Sequence, residues 1–358
     1  MSSNKVLVIN PKNTSTRIAI YRNLKLVFLK NIKHKDEDLD TFKTIYDQKD
    51  YRTKVVISEL KDNGIKLELV RAVVARGGLH KPVTSGIYEV NDRMKEDLRK
   101  GVMGHHASNL GGLIAADLAK LIKVKAYIAD PVVVDELDDV ARISGHPLFE
   151  RKSVFHALSH KVVARKYAKS ISKKYDELNL ILVHVGGGGI SVGAHNKGKV
   201  IDINQAFDGG GPFSLERTGS LPVGDLVRLC FSGKYKQEEI IKMITQEGGL
   251  MAYLGTKNIY DIQERLDSGD EKAKFIMFAM AYQVAKEIGS MYTVLEGDVN
   301  AILLAGDIFH NKGFVDHISK RIDKIAPIAV YPDEDEMEAL NINAQMVLLG
   351  EAEVKEYK

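Results

Sequence analysis

The chain has 358 residues and a formal net charge of +3, so it accommodates roughly two domains of ~100 to 200 residues and lacks the basic footprint of a nucleic-acid-binding protein. Its single cysteine, Cys230, excludes an intramolecular disulfide and a four-cysteine metal site. Because the sequence shows neither a signal peptide nor an apolar run near ~20 residues, we expect a cytoplasmic protein without membrane contact.

The chain begins with a predicted β-hairpin around a polar turn. VLVI at residues 6–9 forms the first strand, NPKNTS at 10–15 the turn, and an apolar, alternating run from Ile18 to Tyr21 the second strand. A turn at Arg22-Asn23 then leads into a third apolar run. Hydroxyl and backbone N–H groups in a tight turn can hold phosphate oxygens. We therefore predict a phosphate-binding turn on a hairpin that continues into a third strand.

The next segments alternate between strand and helix, as in α/β proteins. LVRAVVARGG at 69–78 reads as a buried strand ending at Arg76 and two glycines. Ser108 is predicted to cap a helix whose apolar residues recur at helical spacing, namely Leu110, Leu113, Ile114, Leu118, Leu121 and Ile122. VKAYIAD at 124–130 is a strand with Asp130 at its carboxyl end, where open α/β sheets place functional groups.

A basic, helix-like stretch separates this half from a second hairpin. Its predicted apolar face comprises Val154, Phe155, Leu158, Val162 and Val163. The charges from Arg151 to Lys174 are interpreted as a solvated helix face rather than a polyanion site. We place a domain boundary near residue 150.

The second hairpin repeats the pattern of the first around four glycines. LILVHV at 180–185 leads through Gly186, Gly187, Gly188 and Gly189 into ISVGAH at 190–195, and Lys197-Gly198 turns into another apolar run. In dinucleotide-binding folds such a turn enters a helix, whereas here it enters a strand. Two such hairpins predict a duplicated nucleotide-binding unit.

The C-terminal third adds a long helix, a strand and a final helix. Lys272 to Leu295 is predicted helical, AILLAG at 301–306 a strand, and the tail from Glu334 a helix that packs back onto the first domain. The chain thus divides into a first domain, 1–150 plus about 334–358, and a second, 151–333. Without a low-complexity linker, we expect the domains to pack closely around a cleft, which helps phosphoryl transfer by excluding water.

Eight motifs are distributed over nearly the whole chain. In chain order, they are NPKNTSTR at 10–17, ARGGLHKPV at 75–83, HASNLG at 106–111, DPVVVDEL at 130–137, RKSVFHALSHK at 151–161, VHVGGGGISVGAH at 183–195, DGGGPFSLERTGSLPVGDLVRLCFSGKY at 208–235 and DEDEMEAL at 333–340. Together they resemble the motifs of the butyrate kinases, a group of the acetate kinase family within the sugar kinase, heat-shock 70 and actin superfamily.

The resemblance implies two duplicated actin/ribonuclease-H-like domains with mixed sheets, and ATP-dependent phosphorylation of a short-chain carboxylate. It also implies a homo-oligomer. An arginine binds a carboxylate in a fixed orientation, and Arg76 is the leading candidate. The implied catalytic residues are Arg76, Asp130, His156, His184 and Arg217, with His106 and Asn109 on the acceptor side. The implied magnesium-organising residues are Asn10, Asp130 and Glu336.

For ATP or ADP, the resemblance implies contacts from both hairpins and from the turn after the 301–306 strand. The implied residues are Asn10, Thr14, Ser15, Arg17, Gly186, Gly187, Gly188, Gly189, Gly306 and Asp307. Four positions depart from the family pattern: Lys12 and Asn13 replace glycine and serine, Arg17 replaces lysine, and Asp307 replaces glycine. Lys12 is expected either to strain its turn or to add a cation near phosphate, and Asp307 to obstruct the adenine or change the nucleotide.

Two alternatives follow from the same residues. The departures at Lys12 and Asp307 suit a non-catalytic, nucleotide-binding or regulatory homologue. His156 and His160 lie four residues apart like zinc ligands on a helix, but Ala157 stands where a zinc-protease helix carries glutamate. The core and exposed-residue interpretations also remain for single histidines, and His105 in particular reads as exposed.

Overall fold

The computed structural model describes residues 4–186 and 189–358 and contains two compact units. Unit 1 runs to Val134 and includes Asp335–Lys358, and unit 2 is Asp135–Glu334. The division therefore precedes residue 150. The segment after Val134 joins unit 2 through hydrogen bonds, from Asp138 N to Ile201 O at 3.0 Å and from Val200 N to the Glu136 carboxylate at 2.9 Å.

The strands of the described residues are numbered in chain order. They are β1 (Lys5–Pro11), β2 (Ser15–Arg22), β3 (Lys25–Lys33), β4 (Val70–Arg76), β5 (Ile87–Glu89), β6 (Lys125–Ala129), β7 (Asn179–Gly186), β8 (Gly189–Asn196), β9 (Lys199–Ile203), β10 (Ala301–Ala305), β11 (Ile328–Tyr331) and β12 (Val354–Lys355).

The α-helices are numbered in the same way. They are α1 (Asp36–Leu39), α2 (Lys49–Asp62), α3 (Asp92–Lys100), α4 (Asn109–Ile122), α5 (Asp139–Arg142), α6 (Ala157–Ser170), α7 (Val223–Cys230), α8 (Gln237–Thr245), α9 (Gly249–Leu254), α10 (Ile259–Asp267), α11 (Glu271–Val294), α12 (Lys312–Ile322) and α13 (Glu336–Leu348). In the part of the chain that the structure describes, none has the length and apolar character that crossing a membrane requires.

Each unit contains a mixed sheet built around one of the two hairpins. Unit 1 has seven strands in the order β12-β5-β6-β4-β1-β2-β3, and unit 2 has five in the order β11-β10-β7-β8-β9. In both, an antiparallel three-strand meander continues into parallel strands beside its first member, β4 beside β1 and β10 beside β7. The predicted duplication of an α/β unit is confirmed.

Helices cover both faces of the unit 2 sheet, which explains why β10 and most of β7 are apolar. On β7, Ile181 and Val183 belong to the core beneath α11, whereas Leu180 and Leu182 belong to the core beneath α6. His184 continues the second set, since alternate residues of a strand share a face. The strand pattern therefore directs His184 toward α6.

In unit 1, the C-terminal helix and α4 both pack on the sheet that contains the first hairpin. The helix α13 contacts β1 and β4, and α4 also packs on β4. The sheet residues Leu7, Ile9 and Val73 are fully buried in a core that they share with Leu110 and Ile114 of α4.

Several local predictions need correction. The helix predicted from Val154 begins at Ala157, so His156 precedes it, in a non-helical backbone conformation. Ser108 does not cap α4 through its side chain, because its hydroxyl contacts His106 Nδ1 at 2.9 Å. The basic stretch is not wholly solvated, since Lys161 is 1% exposed. Finally, the turn after β2 consists of the residues at 23 and 24, beginning with Asn23 in a left-handed conformation.

Candidate active site

Three predicted site residues of unit 1 meet at the carboxyl ends of β1 and β4. Arg76 ends β4, and its Nη1 lies 3.2 Å from Glu336 Oε1 at the start of α13. Asn10 of β1 donates from Nδ2 to Glu336 Oε2 at 2.8 Å. The arginine and glutamate side chains are only 14% and 19% exposed, so this is a partly desolvated, charged cluster.

The backbone after Arg76 passes close to the segment that follows β6. A Cβ atom on Gly77 would lie 2.4 Å from Cβ of Pro131, so no side chain fits there. The two glycines after the strand, read from the sequence as part of a site, therefore also have a packing role.

Asp130 occupies the residue after β6 in a strained conformation. Its φ is 38°, in the left-handed region that residues other than glycine seldom adopt. Its Oδ1 accepts hydrogen bonds from Ser85 Oγ at 2.6 Å and from Gly86 N at 2.8 Å. The surrounding loop thus holds a buried carboxylate in one orientation.

A buried arginine that the sequence reading overlooked supports the first polar turn. The Arg52 guanidinium, from α2, donates to the carbonyl oxygens of Lys12 at 2.8 Å, Asn13 at 2.7 Å and Ser15 at 3.1 Å. Burial lowers the pKa of Arg52 to about 10. Arg52 thus fixes the backbone of the turn through three of its carbonyl oxygens.

The substitutions in this turn do not strain it. Neither Lys12 nor Asn13 is among the described non-glycine residues with positive φ, so glycine is not required at either position. Thr14 is exposed, and Arg17 lies 3.7 Å from Asp335. An open cavity of about 410 Å³ beside the turn is lined by Lys12, Ser15, Arg17, Leu29 and Asn31. Of the two expectations for Lys12, a strained turn or an added cation near phosphate, the geometry favours the added cation.

His106 and Asn109 lie at the N-terminal end of α4 and have mainly backbone partners. The Asn109 amide accepts from Leu79 N at 2.8 Å and donates to Gly104 O at 3.0 Å. His106 Nδ1 accepts from Ser108 N at 3.2 Å. Asn109 therefore joins two loops, and its contact with an acceptor stays a prediction. The neighbouring His105 is exposed.

In unit 2, His156 and His184 come together as the sequence reading implied. Their ring centroids are 4.6 Å apart, and both side chains are buried. His184 Nε2 lies 2.9 Å from Glu334 Oε2, a buried contact that the sequence reading missed. His184 Nδ1 is buried without a hydrogen-bond partner among the described residues.

Arg217 packs against the end of the second hairpin. A Cβ atom on Gly189 would lie 2.6 Å from Arg217 Nη1, and one on Gly186 would lie 2.6 Å from the His184 ring. Both glycines are therefore needed for close packing of predicted site residues. Gly187 and Gly188, predicted to contact phosphate, lie outside the described residues.

Gly306 and Asp307 follow β10. Gly306 has a φ of 113°, and a Cβ atom there would lie 2.1 Å from Val185 O, so only glycine fits. Asp307 begins a short 3-10 helix and is exposed. The Asp307 side chain, which was expected to obstruct the adenine or change the nucleotide, therefore lies at the surface of unit 2.

A row of buried polar residues lies between β8 and α6. Ser191, Gly193 and His195 alternate along β8, and a Cβ atom on Gly193 would lie 3.4 Å from the His160 ring. Ser191 Oγ contacts His156 Nδ1 at 2.8 Å and His160 Nε2 at 3.0 Å. The alternation in ISVGAH was the signal in the sequence that these residues share one face of a strand. The sequence did not indicate that this face packs against α6. Both histidines of the considered zinc pair thus contact the same hydroxyl.

Comparisons with known proteins complete the description. The acetokinase family profile matches residues 146–355. Butyrate kinase 2 of Clostridium acetobutylicum is 51% identical over 354 residues, which are 99% of this chain and 99% of that protein, and butyrate kinase 1 of the same organism has the same identity and coverage. The crystal structure of Porphyromonas gingivalis acetate kinase aligns with a TM-score of 0.75 and 17% identity, covering 97% of this chain and 100% of that one. The structural match shows a shared fold.

Proposed function

The chain belongs to the acetokinase family, and we propose that it transfers the γ-phosphoryl group of ATP to butyrate or to a branched short-chain acid such as isobutyrate or isovalerate. The product is an acyl phosphate, and the reverse reaction forms ATP. The observation that carries the proposal is the 51% identity to two proteins named butyrate kinase over 99% of the chain. The arrangement of charged side chains supports the same chemistry.

Arg76 is proposed to bind and orient the acceptor carboxylate. Its Nη1 is held near Glu336, and the planar guanidinium offers several donors in a fixed geometry. A carboxylate bound by this group keeps its attacking oxygen in one position. Such positioning matters because phosphoryl transfer demands mainly alignment and neutralisation of charge.

His156, His184 and Arg217 are proposed to stabilise the transferring phosphoryl group. The two rings are in contact, and Arg217 packs against Gly189 of the adjoining hairpin. Hydrogen-bond donors held rigidly before reaction stabilise developing charge without reorganising. In this proposal, unit 2 binds the nucleotide through its hairpin and Gly306, while unit 1 binds the acceptor and contributes phosphate contacts through its first turn.

Magnesium is proposed to be held by Asn10, Asp130 and Glu336. These residues supply only oxygen and amide ligands, which Mg²⁺ prefers, and it usually retains several waters. Asn10 Oδ1 is a buried acceptor without a hydrogen-bond partner among the described residues, so the donor set fits a cation or a water bound to it. When bound, the ion would neutralise phosphate charge.

The non-catalytic alternative is less well supported. It rested on Lys12 and Asp307, but Lys12 has no positive φ and Asp307 is exposed. Arg52 supports the first turn in a way that does not depend on glycine at these positions. We further propose a cytoplasmic homo-oligomer, a dimer or larger, on the basis of family membership.

A hydroxylamine trap tests the proposal directly. Purified protein is incubated with ATP, Mg²⁺ and each acid from acetate to isovalerate, and acyl hydroxamate is measured. Product that depends on both acid and ATP, and is greatest with a four- or five-carbon acid, is expected. Nucleotide binding without product from any acid would instead support the non-catalytic alternative.

A further inference from the structure

A continuous series of hydrogen bonds runs through unit 2 from Tyr175 to His156. The Tyr175 hydroxyl contacts His195 Nδ1 at 2.6 Å, and His195 Nε2 contacts His160 Nδ1 at 3.0 Å. His160 Nε2 contacts Ser191 Oγ at 3.0 Å, and Ser191 Oγ contacts His156 Nδ1 at 2.8 Å. The series is distinct from the His184–Glu334 contact on the other side of His156.

We propose that this series is a positioning device: Tyr175 donates at one end, every bond points the same way, and His156 is thereby held with its remaining proton on Nε2. His156 then presents an N–H donor toward a phosphoryl oxygen while remaining uncharged. The effect on catalysis rests on the proposed function, whereas the position of the proton on His156 does not depend on it.

The number of hydrogen-bond donors and acceptors on each group restricts the direction of the series. A neutral imidazole has one donor and one acceptor nitrogen, so a ring that accepts a hydrogen bond at one nitrogen donates one from the other. His160 and His195 are neutral at pH 7, because complete burial lowers the pKa of each well below 6.5. Ser191 is 0% exposed, and its hydroxyl contacts only His156 and His160 among the described residues. Its proton must therefore go to one of these two rings.

The shortest contact of the series selects one of the two possible directions. N–H donors usually lie about 2.7 to 3.2 Å from the acceptor, and O–H donors about 2.5 to 3.0 Å. The Tyr175–His195 contact of 2.6 Å suits an O–H donor and is shorter than the usual N–H range, so Tyr175 is the donor in this contact. The Ser191–His156 contact of 2.8 Å and the two His160 contacts of 3.0 Å are compatible with the same direction. The bonds therefore point from Tyr175 to His156.

The charge of Lys161 favours the same direction. Lys161 lies 5.5 Å from the centre of the Tyr175 ring and 2.5 Å from Glu136, and its charge contributes to the lowered pKa of His195. A cation beside a phenol makes the hydroxyl a better donor, since it stabilises negative charge on the oxygen.

Two measurements on the full-length protein test the proposal. Two-bond ¹H–¹⁵N spectra of protein labelled with ¹⁵N only in histidine report the protonated nitrogen of each ring, with signals assigned from single His→Gln variants. We expect the Nε2–H form for His156, His160 and His195. A wild-type His156 in the Nδ1–H form would overturn the proposal, whatever the activity of the protein.

Tyr175→Phe removes the donor at the end of the series and keeps the ring. We expect His156 to lose its single Nε2–H form, and kcat for acyl phosphate formation to fall about 2- to 12-fold, the equivalent of one hydrogen bond, with KM for ATP unchanged. Tyr167→Phe is the matched control, because both tyrosines pack against the same apolar core. An unchanged His156 spectrum in Tyr175→Phe would show that the series only fills buried space.

If wild-type protein forms no acyl phosphate, the proposed function fails while the spectra still decide the proton assignment. If the protein is active but Tyr175→Phe behaves like Tyr167→Phe in both measurements, the proposed function stands and the positioning role is rejected.

Discussion

Replacing the buried Arg52 with methionine should weaken both unit 1 and its nucleotide turn. Arg52 donates to three turn carbonyls, those of Lys12, Asn13 and Ser15, and also to Gln48. Hydrogen bonds from a charged group contribute about 1.5 to 3 kcal/mol each, so the three turn bonds represent about 4.5 to 9 kcal/mol.

Part of that loss is recovered, because methionine carries no charge to bury. Lowering the pKa of Arg52 from 12.5 to about 10 corresponds to roughly 3 kcal/mol of unfavourable burial. Since Lys12 and Asn13 are exposed, water can also replace some of the lost donors. We expect a net fall of about 2 to 4 kcal/mol in the free energy of unfolding.

The assay combines urea unfolding with steady-state kinetics. In Arg52→Met, KM for ATP should rise at least about 10-fold, equivalent to about 1.4 kcal/mol, while KM for the acid changes little. Arg71→Met, at an exposed position on β4, serves as the control and should leave both quantities unchanged. Reduced stability with an unchanged KM for ATP would refute the argument that Arg52 organises a nucleotide-binding turn.

Three further predictions concern other parts of the molecule. Arg76→Lys should raise KM for the acid about 10- to 100-fold without changing ATP binding, because one ammonium cannot reproduce a bidentate contact; an unchanged KM would move the acceptor site elsewhere. Gly306→Ala should destabilise unit 2 by about 3 kcal/mol in thermal unfolding and weaken nucleotide binding in titrations, because φ is 113° and a backbone oxygen lies 2.1 Å from the new Cβ. Gly313→Ala on α12 should be tolerated in both measurements. Burial lowers the pKa of His80 to about 4, so between about pH 6.5 and 4 the unfolded chain binds a proton that the folded protein does not, and stability falls as the pH drops through that window. From pH 7 to 5, His80 should contribute about 2 kcal/mol to this loss of stability. His80→Gln should remove that contribution, whereas His105→Gln, at an exposed position, should not.

The hairpins and most of the regular elements were predictable because they are local. Alternation and flanking turn residues identified both strand pairs, and helical spacing identified α4 and α11. Helix starts were less reliable. His156 reads as part of an amphipathic helix, yet its backbone is non-helical and its ring turns toward Ser191. The determining contact lies on a strand that is distant in sequence.

Residue chemistry together with the family resemblance of the motifs indicated Arg76, Asp130, His156 and His184 as site candidates. Only the tertiary structure showed what holds them: Glu336 beside Arg76, Glu334 beside His184, and the strained backbone at Asp130. It also changed the significance of Lys12, whose turn is supported by Arg52 rather than by glycine. Such contacts join residues far apart in sequence, and a linear pattern records a side chain's chemistry but not its partner. The sequence by itself therefore determined the chemistry available to the site, and the packing of strands against helices decided its arrangement.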